Sequence, residues 1–317
     1  MARPGWPCAI AKRRLVGLQF LMAAPNKRTT AGQTYLSAGQ YFGEILDNRR
    51  CCDLVLTELE HRQGKRFPTH SHQLAFFSLL LEGSYTERCG PKTVDYKQLM
   101  VVYRPSGVTH ADRIGDAGVR LFNVEIKETW LERMRQYGPI DHLSLDPYGG
   151  ELAWLAARLY REFRENDPYG PLAIEGLILE MLATMNRNSN ATDKEPPSWL
   201  SKVRDLLHAE YAHGISIEHL ATEAGVHPYD VSRAFRKFHR QTVAEFVQDL
   251  RVKQASIDLL QPGIPLSDVA LAAGFADQSH LTRIFKRVTG MTPGAFRAAF
   301  FRNPGSPSVE PESEPKA

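Results

Sequence analysis

Two sets of residues in this chain have the types and spacing to do chemistry. The first lies on a pattern that occurs twice in the last third. One copy runs Leu220-Ala-Thr-Glu-Ala-Gly225-Val-His-Pro-Tyr-Asp-Val-Ser-Arg233-Ala-Phe235-Arg-Lys-Phe238. The other runs Val269-Ala-Leu-Ala-Ala-Gly274-Phe-Ala-Asp-Gln-Ser-His-Leu-Thr-Arg283-Ile-Phe285-Lys-Arg-Val288. A short helix, a glycine turn and a second helix carrying Arg and Lys is the arrangement that lays a helix into the DNA major groove. Base contact requires outward side chains near the N-terminal half of that second helix. In the first unit these are Tyr229, Ser232 and Arg233, with Arg236 and Lys237 nearer the phosphates. In the second they are Gln278, Ser279, His280, Thr282 and Arg283, followed by Lys286. Arg grips guanine bidentately, Gln pairs with adenine, and Ser, Thr and Tyr add phosphate or base contacts. Phe235, Phe238, Phe275 and Phe285 fall on the opposite face and are read as core. The competing reading makes all of these ordinary positions of a helical bundle, and for His280 the two readings are balanced. Asp230, acidic beside phosphates, is read as capping its own helix.

The second set is His70-Ser-His72 and, further on, His110. Three imidazoles on neighbouring strands have the donor type for a first-row divalent metal. A second reading makes them polar groups lining a pocket for a small organic molecule. A third reading leaves the imidazoles as hydrogen-bonding groups only. The organic-ligand reading is adopted, with His70, His72, Phe76 and His110 as its residues and with no metal ligand and no cofactor assigned.

The elements that must position these residues are legible in outline. Between about Ala31 and Lys127 the pattern is of short strands and turns. Asp53–Leu59 alternates over part of its length, Leu74–Leu81 reads as a buried strand closed by Glu82-Gly83, Leu99–Tyr103 as another, and Val119–Ile126 alternates again. Strands at this spacing suggest a sandwich or small barrel. From about Glu128 the period becomes helical. Leu152, Leu155, Leu159 and Phe163 form one apolar stripe, and Ile174, Leu177, Ile178, Met181, Leu182 and Met185 another, separated by a Pro/Gly-rich turn. In the C-terminal third, Ala221, Ala224 and Gly225 recur at an offset of 49, and Arg233, Phe235, Thr242 and Phe246 at 50, so one residue is inserted between Gly274 and Arg283.

Length, composition and charge set bounds on these readings. A chain of 317 residues holds two or three domains, and 43% hydrophobic with 24% charged residues is a globular balance. The net charge of +3 is unevenly spread: +6 over residues 1–30, −4 over 31–198, +3 over 199–302 and −2 over 303–317. A basic segment under the repeat agrees with nucleic-acid contact. The four cysteines form no Cys-x-x-Cys pair, which excludes a zinc ribbon and a dithiol redox motif and suits a reducing cytoplasm. Lys12-Arg-Arg14 before an apolar run has the look of a short signal peptide. Secretion would be at odds with two helix-turn-helix units, so residues 1–30 are read as a disordered or mis-assigned leader, with Met22 as an alternative start. The sequon Asn190-Ala-Thr192 is read as chance.

Over about Trp199–Arg302 the sequence resembles the AraC family of bacterial transcription regulators. Leu220-Ala-x-x-Ala-Gly225, Arg233-x-Phe235, Phe246-Val-x-x-Leu-Arg251-x-x-x-Ala255-x-x-x-Leu259, Ile264-Pro-Leu-x-x-Val-Ala270-x-x-x-Gly274-Phe275, Ser279-x-Leu-x-Arg283-x-Phe285-Lys286 and Gly290-Met-Thr-Pro293-x-x-Phe296-Arg297 carry the resemblance. His227 stands where the family favours a serine cap and Arg240 where it favours glycine. Gly64-x5-His70-Ser-His72 and Pro105-Ser-Gly107-Val-Thr-His110 resemble the two cupin motifs, although the expected glutamate is absent and Phe76 occupies roughly its place. Together these imply an α+β multidomain chain: a cupin-like β-barrel plus helical hairpin, then an all-α domain with two helix-turn-helix units. The expected partition is a leader at 1–30, a cupin-like effector-binding and dimerisation domain at 31–187, a linker at 188–198, a DNA-binding domain at 199–302 and a disordered tail at 303–317. The implied function is a cytoplasmic, non-enzymatic transcription regulator. Its implied partners are double-stranded DNA, a small-molecule effector and a second copy of itself, with RNA polymerase a candidate and no membrane. The alternative is a metal-dependent cupin enzyme fused to a DNA-binding module.

Overall fold

The computed structural model describes residues 34–138, 140, 144–146, 150–165, 167–189 and 196–301. The expected leader, the Asn190 sequon, the tail at 303–317 and most of the expected linker lie outside the described residues.

The N-terminal half is sheet-rich. Its strands are β1 (Thr34–Leu36), β2 (Glu44–Cys51), β3 (Leu54–His61), β4 (His70–His72), β5 (Ala75–Cys89), β6 (Lys92–Lys97), β7 (Val101–Arg104), β8 (Ala111–Ile126) and β9 (Ser144–Asp146). Seven of them form one sheet in the order β2-β3-β8-β5-β7-β9, with β6 paired to β5. β1 and β4 form a separate parallel pair, tied to the start of β8 by a bridge between His70 and His110. The hydrogen-bonded path is open among the described residues. The expected sheet-rich domain is therefore present, without the closed ladder of a barrel.

Alternation decides what each face of this sheet does. Leu54 and Leu56 of β3, Phe77 and Leu79 of β5 and Phe122, Val124 and Ile126 of β8 share one large apolar core, whereas Leu59, Leu80, Val119 and Leu121 belong to another on the opposite face. The turn expected at Glu82-Gly83 is instead a bulge inside the fifteen-residue strand β5. Pairing with β8 shifts register on either side of Gly83. Gly83 has φ +82, and a Cβ there would sit 2.0 Å from the Gly118 carbonyl oxygen. Glycine is demanded by a close backbone approach within a continuing strand.

The helices follow as α1 (Glu128–Arg135), α2 (Glu151–Glu165), α3 (Gly170–Ser189), α4 (Ser198–Glu210), α5 (Ile217–Ala224), α6 (Pro228–Ala234), α7 (Val243–Leu259), α8 (Leu266–Ala272), α9 (Gln278–Thr289) and α10 (Pro293–Phe300). No described helix is long and apolar enough to cross a membrane. The two expected stripes lie on α2 and α3, joined by a turn in which Asp167 accepts hydrogen bonds from the backbone N–H groups of Tyr169 and Gly170. Both stripes are spent within the chain. The α2 stripe packs against α3, the sheet and the second helix-turn-helix unit, and both stripes join one continuous core that includes Val269, Leu281, Phe285, Phe296 and Phe300. Trp154 meets Phe296 at 6.5 Å and Tyr160 meets Phe300 at 5.5 Å between ring centroids. The first unit has a core of its own, built by Leu200, Val203, Leu207, Leu220, Val231 and Phe235.

Leu159 and Leu182 are 1% and 4% exposed, inside this shared core. Truncation there leaves a cavity that neighbouring side chains fill only in part. Leu159→Ala is expected to cost about 2–5 kcal/mol, read by urea denaturation of the full chain. A loss below about 0.5 kcal/mol would mean that the helical hairpin does not pack as described.

Candidate functional site

The second helix of each unit is set by its caps. His227 holds α6: its imidazole Nδ1 accepts from the Tyr229 N–H at 3.2 Å, and Pro228 fills the first turn where no N–H is needed. A histidine thus performs the capping for which serine would ordinarily serve. Asp230, expected as the cap, lies instead within the first turn, where its charge complements the helix dipole. Asp277 caps α9 by accepting from the His280 N–H at 2.7 Å. The inserted residue falls in the turn: three steps separate Gly225 from Pro228, and four separate Gly274 from Gln278. After α6 the helix widens into a π-helical turn, Phe235–His239, which ends at Arg240 with φ +57. The matching position of the second unit is Gly290, at φ +76. Arg240 accepts the left-handed conformation while donating from Nη1 to the Arg187 carbonyl at the end of α3.

These caps aim the expected side chains outward. Tyr229, Arg233, Arg236 and Lys237 are exposed and Ser232 is half-buried. On α9, Gln278, Ser279, Arg283 and Lys286 are exposed and flank a shallow surface hollow with Thr282 and Arg287. Arg287, which contacts Gln248 on α7, was not among the expected contacts. Two expected readers are partly engaged elsewhere. The Thr282 hydroxyl donates to the Gln278 carbonyl at 2.8 Å, and His280 Nδ1 accepts from the Ala276 N–H at 3.4 Å. Phe235, Phe275 and Phe285 are buried as expected, and Phe238 packs at the edge of the first core.

The second set converges on a cavity of about 40 Å³ between the inner face of the sheet and the β1–β4 pair. His70, His72, Phe76 and His110 all line it, and all four are buried. Each of the three imidazoles offers a nitrogen within 4.8 Å of the others. Sequence reasoning missed the charged partners that surround them: Asp112, Glu87 and Arg104, together with His61, Tyr41 and Asn123. Period-two alternation places His110 and Asp112 on one face of the chain, and that signal was available. Glu87 and Arg104 lie on separate strands and pair with each other in the interior, with the guanidinium 5.2 Å from the Phe76 ring centroid.

Burial governs the protonation of this pocket. Desolvation lowers His61 to about 4 and, aided by the Arg104 charge, His72 to about 3. His70 and His110 are also lowered, chiefly by burial. Desolvation, with Glu87 nearby, pushes Asp112 up to about 7, and desolvation pushes Glu125 to about 7. His61 and Asp112 have opposite consequences for stability. Below pH 6.5 the unfolded chain protonates His61 while the folded one does so only near 4, so stability is lost as pH falls through that window. Asp112 takes up its proton in the fold before it does so in the unfolded chain, so stability is gained as pH falls from about 7 towards 4. His61→Gln should reduce the loss of stability between pH 6.5 and 4, and Asp112→Asn should enlarge it. Each effect is expected on the order of 1–3 kcal/mol, read from urea midpoints across that range.

Comparison with known proteins places these features in a family. A helix-turn-helix domain model matches residues 220–299. PqrA, a probable transcription factor of Proteus vulgaris, is 34% identical over 84 residues, which are 26% of this chain and 69% of that protein. The bifunctional transcriptional activator and DNA repair enzyme AdaA of Bacillus subtilis is 30% identical over 106 residues, 33% of this chain and 50% of its own. A putative AraC-like transcription regulator of Streptomyces lividans is 25% identical over 229 residues, 68% and 74% of the two chains. The chain thus spans half of AdaA and more of the other two. With both helix-turn-helix units built and capped as described, the chain belongs to the AraC family of transcription regulators.

Proposed function

We propose that this chain is a sequence-specific DNA-binding regulator whose N-terminal half, a cupin-like sensor in this reading, reports the occupancy of its His-lined cavity to the DNA-binding units. The observation that carries the reading is the pair of capped helices, α6 and α9, each presenting Arg and polar side chains to solvent on one chain. The reading set is Tyr229, Ser232, Arg233, Arg236 and Lys237 with Gln278, Ser279, His280, Thr282, Arg283 and Lys286. The two helices enter successive major grooves about 34 Å apart. The working partition is a sensor over 31–187, a linker at 188–198 and DNA-binding units over 199–302, acting in the cytoplasm. RNA polymerase is the candidate second partner.

The effector site comprises His70, His72, Phe76 and His110. A cavity of about 40 Å³ holds few atoms, whereas pockets for drug-sized molecules run to roughly 300–1,000 Å³. The effector is accordingly small, or the β1–β4 pair moves to admit it. A second copy of the chain is placed on the outer face of α3, where Leu172 and Leu179 are 75% and 44% exposed with Gly176 between them. This is the hairpin surface left over once its two stripes are buried.

The full chain is the right object for the tests, because the second unit shares its core with the hairpin. Arg283→Ala is expected to lose about 1–3 kcal/mol at a cognate site and to relax specificity at one base pair. Lys286→Ala should weaken binding evenly across sequences and lower the salt slope by about 1. Footprinting and fluorescence anisotropy at fixed salt read both effects. A footprint confined to one groove would sink the two-unit reading. For the dimer, the pair Leu172→Asp and Leu179→Asp should shift sedimentation towards monomer without loss of fold. A parent chain already monomeric at about 10–50 μM would remove the dimer.

A further inference from the structure

We propose that Cys51 and Cys52 form a dithiol site for one trivalent arsenical, whose arsenic is held by both sulfurs at the tip of the β2–β3 hairpin. Neither cysteine lines the His-rich cavity, and the site does not depend on the sensor reading above.

The turn brings the two thiols together. Successive side chains of a strand point to opposite faces, so adjacent cysteines ordinarily diverge. Here Cys51 is the last residue of β2 and pairs with Leu54, the first of β3, which leaves Cys52 and Asp53 as a two-residue turn. Cys52 has φ +55, a left-handed conformation that such turns usually give to glycine or asparagine. The bend puts the two Sγ atoms 3.7 Å apart. Both are held there before any ligand arrives. Cys51 is half-buried against the core shared by the sheet, the hairpin and the second unit. Asp53 is tied to Lys127, just before α1, by an ion pair of 3.1 Å and by a backbone hydrogen bond of 3.0 Å. Cys52 is exposed, which gives a reagent access.

Geometry and charge select the ligand. A disulfide requires the sulfurs to close to about 2.05 Å, between Cα atoms usually at least about 4.4 Å apart. Neighbouring Cα atoms are about 3.8 Å apart, so a disulfide between these two residues would be strained and readily reduced. A single atom between the sulfurs fits without that closure. Two sulfurs each about 2.3 Å from one atom are roughly 3.8 Å apart at a tetrahedral angle and roughly 4.6 Å apart on a line. The observed 3.7 Å suits a bent bridge. Zinc bends in this way but takes four ligands, and among the described residues no histidine or carboxylate joins the two thiols as a third donor. Copper(I) with two thiolates favours the line and leaves a net negative charge. Burial, the neighbouring thiol and the Glu175 carboxylate push Cys51 up to about 11, so a negative complex is disfavoured there. Trivalent arsenic is pyramidal, bonds sulfur at a similar length and, when it carries one organic group, needs only two sulfurs. An organic arsenous acid with two hydroxyls would react as follows: two As–O and two S–H bonds break, two As–S bonds form, and two waters leave with the thiol protons. Arsenic stays trivalent and the product is neutral, which suits a half-buried site beside a carboxylate.

The test treats the reduced, purified full chain with phenylarsine oxide, which releases one water on taking up two thiols. Intact-mass spectrometry should show one phenylarsenic adduct per chain. The adduct should survive an excess of mercaptoethanol, leave on addition of dimercaptopropanol, and map to the peptide that contains Cys51 and Cys52. Cys52→Gly removes one sulfur and suits the left-handed turn, so this variant keeps the fold. Its adduct should be displaced by the monothiol at least about a hundredfold more easily, because in the parent the second As–S bond is intramolecular. Cys89→Ser should bind as the parent does. Arsenic X-ray absorption of the loaded parent needs no variant and should show two sulfurs and one carbon. An adduct lost to the monothiol, mapped to Cys8 or Cys89, kept undiminished in Cys52→Gly, or showing a single sulfur would overturn the proposal. So would zinc or copper(I) that protects the pair at equal concentration, which assigns it to that metal, or a Cys51–Cys52 disulfide that persists in glutathione, which makes it a redox couple.

Discussion

The buried guanidinium of Arg120 holds together the three parts of this chain that contain most of its core. It extends from β8 and donates from Nη1 to Glu58 on β3 at 2.8 Å and to the Tyr160 hydroxyl on α2 at 3.1 Å. From Nη2 it donates to the Phe300 carbonyl at the end of α10 at 3.0 Å. Arg164 of α2 adds a second cation to Glu58 at 3.3 Å. A buried carboxylate tolerates its loss of solvent only when its charge and lone pairs are met, and removing the partner of such a pair is far more costly than the pair is stabilising. The carbonyl is equally demanding, because the last carbonyls of a helix have no partner within it. Sheet, hairpin and second helix-turn-helix unit are thereby fixed in one arrangement by a polar group, while the surrounding apolar core supplies most of the favourable free energy.

This junction makes the two DNA-binding units unequal. By sequence they repeat one pattern, with Thr242 and Thr292 both acting as helix caps and Phe246 and Phe296 both packed inward. By packing, the second shares its core with the sheet and hairpin and the first does not. Helix α7 spans the division, with Val243 in the first core and Val252, Ala255 and Leu259 in the shared one. The N-terminal half touches the second unit through the shared core and the first through the Arg240–Arg187 contact. β8 carries both Asp112 at the cavity and Arg120 at the junction. A ligand biases a junction of this kind only to the extent that it binds two arrangements of it with different affinity.

The sequence was most legible where the local period and the burial demand coincide. The stripes of α2 and α3 and the repeat of the C-terminal third were placed residue by residue, because each helix has one wet and one dry face. The strands were harder. β5 is buried through Leu81 and then continues across a glycine bulge, and local pattern cannot distinguish a bulge from a turn when both are marked by Gly83. β9 follows α1 and pairs with β7, a long-range partnership with no local signature. The use made of the apolar stripes was also hidden. Their period says that a face is covered, but not whether by a second chain or by the unit downstream.

The cavity shows a similar limit. His70, His72 and His110 stand out by type and spacing, but the position after His72 at which the motif would hold an acid is Phe76 on β5. Pairing between strands brings β4 against the start of β8, so the carboxylate that faces His70 arrives from 42 positions along the chain. The inner face of a sheet is most cheaply filled with apolar side chains, and here Leu59, Leu80 and Leu121 fill one end of it. At the other end stand four histidines, the Asp112 carboxylate and an internal Arg104–Glu87 pair. His61 Nδ1, His72 Nδ1, Arg104 Nε and Asp112 Oδ1 there have no hydrogen-bond partner among the described residues. Each such atom costs about 1–3 kcal/mol when left dry. A fold that could have closed this end with two or three leucines keeps a polar lining instead.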